Sequence, residues 1–251
     1  MAGERAEDRR IFEITGGDRI GFLQGLVTND VERLREGIVY AALLTPQGKY
    51  LADFFLAPWG EAVLLDVAAP VSEDLLRRLN MYRLRADVQI APSSLKVQRG
   101  LGEPPEGAFA DPRDPSLGWR LYSDSEGEAP QIDWEARRVA ACIPETGIEL
   151  IPGETFILEV GFERLKGVDH RKGCYVGQEV TARMKHKSEL RKGLAVVEVE
   201  GEAPVGTPIT ANGKAAGTLF TQAGGGAIAY LRFDRAGRDM EADQAHIHWT
   251  G

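Results

Sequence analysis

Residues 171–180 read Arg-Lys-Gly-Cys-Tyr-Val-Gly-Gln-Glu-Val, gathering an ammonium, a thiol, a phenol, an amide and a carboxylate within ten positions. Gly173 and Gly177 fall where a side chain would obstruct a tight backbone path. Lys172 and Cys174 are two apart, so an extended backbone places them on one face, where the cation favours thiolate over thiol. From Gln178 through Thr181, Ala182, Arg183 and Met184 the chain is compatible with a helix. That would set Cys174 just ahead of a helix N-terminus, a second influence favouring the thiolate. Together these describe a reactive cysteine. Cys142, within Val-Ala-Ala-Cys-Ile at 139–143, reads instead as a small buried hydrophobe.

The string from Lys172 to Glu179 resembles the K-G-C-Y-x-G-Q-E signature of the YgfZ family, folate-binding proteins related to the glycine-cleavage T-protein and to a mitochondrial iron-sulfur assembly factor. Residues 18–30 (DRIGFLQGLVTND) resemble that superfamily's opening segment, and Gly48-Lys49-Tyr50-Leu51-Ala52-Asp53 its G-R-x-L-A-D turn. The resemblance covers nearly the whole chain. It implies an α+β fold in which two ferredoxin-like units and a small C-terminal β-barrel form a three-lobed ring around a central channel. On that layout residues 9–49 and 131–190 make a first unit, interrupted by a second at 50–130, and the barrel spans 191–251. The implied cofactor is tetrahydrofolate, and the implied partners are iron-sulfur enzymes or assembly proteins. A link to tRNA modification is implied as well, indirect and through modifying enzymes that carry clusters.

Tetrahydrofolate has an amide-rich pterin edge, an aromatic middle and an anionic tail, so its site needs polar readers, an apolar wall and positive charge. Gln178 and Glu179 are suited to amide edges, Tyr175 to stacking or hydrogen bonding, and Arg183 or Lys185 to the tail. The resemblance carries Asp53 to the folate amine. The T-protein's R-L-E-A-G, whose glutamate reads the pterin, stands here as Arg138-Val139-Ala140-Ala141-Cys142, so Glu159 or Glu179 would have to replace the carboxylate lost at Ala140. Cys174 would accept or transfer a one-carbon, sulfur or iron-bound group as the catalytic thiolate, with Lys172 stabilising the anion. No set of metal ligands is legible. Two cysteines in one chain fall short of the four thiolates a stored cluster usually takes, which leaves a cluster transient or shared with a partner. Two other functions compete: an aminomethyltransferase or demethylase of the T-protein class, and a non-enzymatic module docking an acidic partner.

The elements that must hold this stretch follow from pattern. Strands are expected over 11–14, 38–45, 50–57, 62–67 and 87–90, a helix capped by Asp18, a helix capped by Ser72, and a helix capped by Asp133 that Pro144 stops. Residues 100–115, rich in Gly, Pro and Asp, read as a loop, and five short β-like runs after Lys192 read as the barrel. The charged first ten residues read as a fraying end, neither secretory signal nor membrane anchor. No apolar run approaches the roughly 20 residues of a spanning helix. Two cysteines without a C-x-x-C point to a reducing compartment, taken as the cytoplasm. The net charge of -8 disfavours general nucleic-acid binding. Residues 163–192 nevertheless hold nine Lys or Arg against four acids, a basic island around the candidate site that suits a small anionic ligand or, over 185–192, a solvated helix face.

Overall fold

The computed structural model describes residues 3–186 and 190–251. Three strands are almost uninterruptedly apolar: β3 (Val39–Leu44), β4 (Tyr50–Trp59) and β5 (Ala62–Ala68). Such strands need cover on both faces, and they have it. They join β2 (Arg9–Thr15) and β6 (Gln89–Pro92) in an antiparallel sheet of order β3-β4-β5-β2-β6. Neighbouring residues of β4 enter opposite cores, as the two-residue period of a strand requires. Phe54 and Leu56 pack with Leu23 of α1 (Arg19–Gln24) and Leu75 and Leu79 of α2 (Ala69–Arg83). Phe55 packs with Tyr40, Ile143, Phe162 and Tyr175, under the irregular chain that carries the signature. Each such large side chain stabilises the fold by about 1.5–3 kcal/mol through burial.

The boundary expected between residues 49 and 50 falls inside a hairpin, because β3 pairs with β4 from Val39↔Leu56 to Leu44↔Tyr50. Residues 9–92 therefore form one sheet. A second sheet, of order β1-β7-β9-β8, is built from β1 (Glu4–Arg5), β7 (Lys96–Gly100), β8 (Phe109–Ala110) and β9 (Trp119–Ser123). The chain start is thus not frayed from Gly3 onward; Met1 and Ala2 lie outside the described residues. Glu4 is buried, its carboxylate accepting from the backbone N–H of Gln131 and Ile132 and from Trp134 Nε1, so a charge that read as solvent-seeking is satisfied internally.

The barrel is closed, in the order β10-β13-β12-β11-β14-β15. Its strands are β10 (Lys192–Glu200), β11 (Pro208–Ala211), β12 (Lys214–Ala223), β13 (Gly226–Arg232), β14 (Met240–Ala242) and β15 (Ala245–His248). Five of these match the sequence reading; β14 is too short to show a period. Asn212 and Gly213 both take positive φ, as a tight hairpin turn demands.

Asp133 caps α3 (Trp134–Ala140), its Oδ1 accepting from Ala136 N at 2.8 Å. The other two expected caps fail. Asp18 precedes α1 but turns its carboxylate to Asp87 N at 2.8 Å, and Ser72 sits inside α2, which starts three residues earlier around Pro70. Arg138 of α3 ties three segments together. Its guanidinium meets Glu149 at 3.1 Å and Thr221 of β12, while Thr221 Oγ1 donates to Glu149 at 2.8 Å. No helix among the described residues is long and apolar enough to cross a membrane.

Candidate functional site

The three motif segments meet at one place. Gly48, in the β3–β4 turn, has φ +75, and a Cβ there would come within 2.8 Å of Val180 Cβ. Gly177 of the signature has φ +84, and its Cβ would meet Thr45 O at 2.6 Å. Each glycine makes room for the other's segment, so neither tolerates a side chain. From the opening motif, Thr28 Oγ1 donates to Gly167 O at 2.6 Å, and Asn29 Nδ2 donates to Lys166 O at 2.7 Å and Tyr40 O at 2.8 Å. These bonds strap the chain leading into the signature onto β3.

Lys172 completes the strap and departs from its expected role. Its buried ammonium donates to the carbonyls of Gln24 at 2.8 Å, Val27 at 2.5 Å and Asn29 at 2.9 Å, at the C-terminal end of α1 and the turn beyond it. That end of a helix presents unpaired carbonyls and partial negative charge, which a cation answers. Burial pushes the ammonium down to about 8, against the upward pull of Asp30 and Asp169. All three N–H donors are committed to carbonyls, so Lys172 anchors the signature loop to the end of α1 and has no donor left for a hydrogen bond to the Cys174 thiol. The ammonium also lies 5.1 Å from the centre of the Tyr175 ring.

Cys174 itself is exposed, four residues before α4 (Gln178–His186). Cys142 is half-buried at φ +50, and burial pushes its thiol up to about 11. Near pH 8 such a thiol is thiolate at only about one part in a thousand. Iodoacetamide should therefore label Cys174 long before Cys142, read by peptide mass spectrometry. Equal labelling of the two would contradict this difference in burial.

The remaining expected folate contacts do not gather. Asp53 is 5% exposed, and its carboxylate accepts from Tyr40 OH at 2.9 Å, Tyr50 OH at 2.7 Å and Thr146 Oγ1 at 2.7 Å. It is a buried junction of hydroxyls, not a group facing a channel, and it helps push both phenols well above their usual range, after burial itself. Glu159 faces the barrel, where Tyr230 OH donates to it at 2.6 Å and Lys192 Nζ lies at 3.7 Å. Tyr175 is a core residue. Gln178 is half-buried at the start of α4, and Glu179 and Arg183 are exposed on it. Lys185 pairs with Glu163. Of the basic run 185–192, Lys187 and Glu189 lie outside the described residues. None of the main cavities among the described residues has Asp53, Glu159, Tyr175, Gln178, Glu179 or Arg183 in its wall.

A cavity of about 280 Å³ lies elsewhere, lined by Arg9, Arg99, Arg113, Arg120 and Arg138 with Phe55, Trp134 and Glu145. Four of these guanidiniums have carboxylates. Arg9 and Arg120 share Asp66, each at 2.6 Å, Arg113 grips Asp111 at 3.0 and 2.8 Å, and Arg138 holds Glu145 and Glu149. The sequence reading missed this cavity. Its signal was present in charges set inside apolar strands, Asp66 between Leu65 and Val67 and Arg120 between Trp119 and Leu121, where a charge implies a buried partner.

Comparison with known proteins adds the lineage. Residues 191–250 match the model of the CAF17 C-terminal beta-barrel domain. The mouse mitochondrial iron-sulfur cluster assembly factor IBA57 is 31% identical over 91% of this chain and 76% of its own length, and the human protein is 31% identical over 90% and 76%. The glycine cleavage system aminomethyltransferase T from Bartonella henselae has the same fold, with a TM-score of 0.76 over 99% of this chain and 85% of its own, at 15% identity. The relatives are mitochondrial, which overturns the cytoplasmic expectation: a low cysteine count names no compartment. An α+β body carrying a closed barrel, together with identity sustained along nearly its whole length, places the chain in the family of the iron-sulfur cluster assembly factor IBA57.

Proposed function

We propose that this chain is a YgfZ-like accessory factor for assembly or repair of iron-sulfur enzymes, and that Cys174 is the ligand it offers to the cargo. The observation that carries this reading is an exposed thiol on a loop held from beneath by Lys172 and Gly177, in a chain whose other cysteine is half-buried. A rigid loop presents the sulfur at little entropic cost, and a single accessible thiol suits a cluster or iron atom completed by a partner's ligands. The partner is an iron-sulfur assembly protein or client enzyme, and any effect on tRNA modification follows through clients that carry clusters.

Tetrahydrofolate fits the residues assigned to it poorly. Asp53 is spent on three hydroxyls and Glu159 on the barrel, so no step is routed through folate here. The same saturation of Asp53 weakens the aminomethyltransferase alternative, for which that carboxylate would have to meet the folate amine. In cells lacking the endogenous factor, Cys174→Ser should lose the activity of cluster-dependent enzymes while the protein accumulates normally. Full rescue by Cys174→Ser would remove the thiol from the mechanism and favour a partner-docking module. Calorimetric titration with tetrahydrofolate forms the second arm. Saturable binding weakened by Asp53→Asn would return folate to the site as first expected.

A further inference from the structure

Arg99 and Arg120 are directly opposite one another on β7 and β9, in register, and both line the arginine cavity. Like charges in that position destabilise a sheet unless something of opposite sign answers them. Arg120 is answered by Asp66 at 2.6 Å, although its Nε is buried without a hydrogen-bond partner. Arg99 is not answered. Among the described residues its guanidinium has no carboxylate at ion-pair distance, and its Nε too is buried without a partner. The neighbouring acids are committed or exposed: Glu4 to Trp134 Nε1 and two backbone N–H groups, Asp111 to Arg113, and Asp8 to solvent. The Arg99 guanidinium carbon lies 4.4 Å from the centre of the Trp134 ring, and among the described residues its side chain makes no hydrogen bond. Burial and the charges of Arg120 and Arg113 pull the guanidinium down to about 10, against the upward pull of Asp8 and Glu4.

We propose that this cavity binds a small monocarboxylate, gripped by Arg99 against Trp134. Four of the five arginines already hold carboxylates, which leaves Arg99 as the one guanidinium of the cavity without an ion-pair partner and suits a single carboxylate. Exposed Asp8 and Glu135, with Glu145, line the same cavity and would repel a more highly charged group such as phosphate. Arginine's planar fork matches the two oxygens of a carboxylate, and Phe55, Leu117 and Ile143 supply an apolar wall for a short body. At about 280 Å³ the space suits a few heavy atoms, not a drug-sized molecule. This site is independent of Cys174 and stands or falls apart from the function proposed above.

The test is calorimetric titration of the full chain with acetate and with propionate, against inorganic phosphate and chloride at matched ionic strength. Saturable binding of the carboxylates with a dissociation constant of about 1 mM is expected, weakened at least about tenfold by Arg99→Met. Lys96→Gln removes the same charge from the same strand at an exposed position and should leave binding intact. Arg99→Met loses its contact with Trp134 but should keep the parent's circular dichroism spectrum and a cooperative melt, so that lost binding is not lost structure. Arg99→Lys, which keeps the charge without the planar fork, should bind more weakly than the parent; full binding by Arg99→Lys would overturn the proposal. So would carboxylate binding that survives Arg99→Met, phosphate binding as tight as acetate, or chloride giving the same signal.

Discussion

Asp66→Ala should cost about 3–5 kcal/mol and shift the urea midpoint accordingly, the largest loss expected of any single substitution in this chain. Asp66 is fully buried on β5, and its carboxylate is the closest answer to two cations, with Asp111 standing 3.8 Å from Arg120. Arg9 Nε reaches Oδ1 at 2.6 Å, Arg120 Nη2 reaches Oδ2 at 2.6 Å, and Tyr122 OH donates to Oδ2 at 3.0 Å. Arg120 and Tyr122 belong to the second sheet, so this carboxylate pins the two sheets together. Removing it strands the buried Arg120 guanidinium, whose desolvation is then uncompensated. A second signature is acid lability. Burial opposes ionisation of Asp66, but Arg9 and then Arg120 outweigh it and hold the carboxyl at about 2. A folded value below the unfolded one means that the contribution is fully present above about pH 4 and is lost as pH falls through about 2. It amounts to about 2 kcal/mol. The wild-type chain should therefore lose stability steeply in that window, and Asp66→Asn should flatten the slope there. An unchanged urea midpoint in Asp66→Ala, or an unchanged acid slope in Asp66→Asn, would show that the two sheets are held by other contacts.

Lys172→Met should cost about 2–3 kcal/mol despite preserving the length and most of the volume of the side chain. The three carbonyls of Gln24, Val27 and Asn29 would lose their only shared donor, and the signature loop its anchor to α1. Urea denaturation reads the loss. The alkylation rate of Cys174 in the folded variant separates the two roles considered for this lysine. An ammonium committed to carbonyls predicts a rate close to that of the parent, whereas an activating ammonium predicts a clear slowing. A slowed rate with unaltered stability would make Lys172 an activator of the thiol and not an anchor of the loop.

The signature at 172–179 was legible because its residue types are dense and unusual, and the structure does put Cys174 on the surface. The direction of Lys172 was not. Two residues apart on an extended segment predicts a shared face, but the carbonyls at the end of α1, some 145 residues earlier in the chain, attract the ammonium more strongly than a nearby thiol. The same holds for Asp53, which the resemblance carried to the folate amine. Tyr50 lies close in sequence, but Tyr40 and Thr146 reach it only through the folded sheet and the loop beyond α3.

Strand composition and the barrel's short runs are local properties that could be read without the fold: β3, β4 and β5 as strands, the need for glycine at 177, and five of the six barrel strands. That Gly48 and Gly177 clear space for each other's segments appears only once the chain is folded. Partner choice for buried charge is not local. A carboxylate or guanidinium inside an apolar strand announces that it has a partner, but long-range register alone decides which one. Only the tertiary structure could bring Arg120 of β9 to Asp66 of β5, set Arg99 opposite Arg120, and leave Arg99 unanswered.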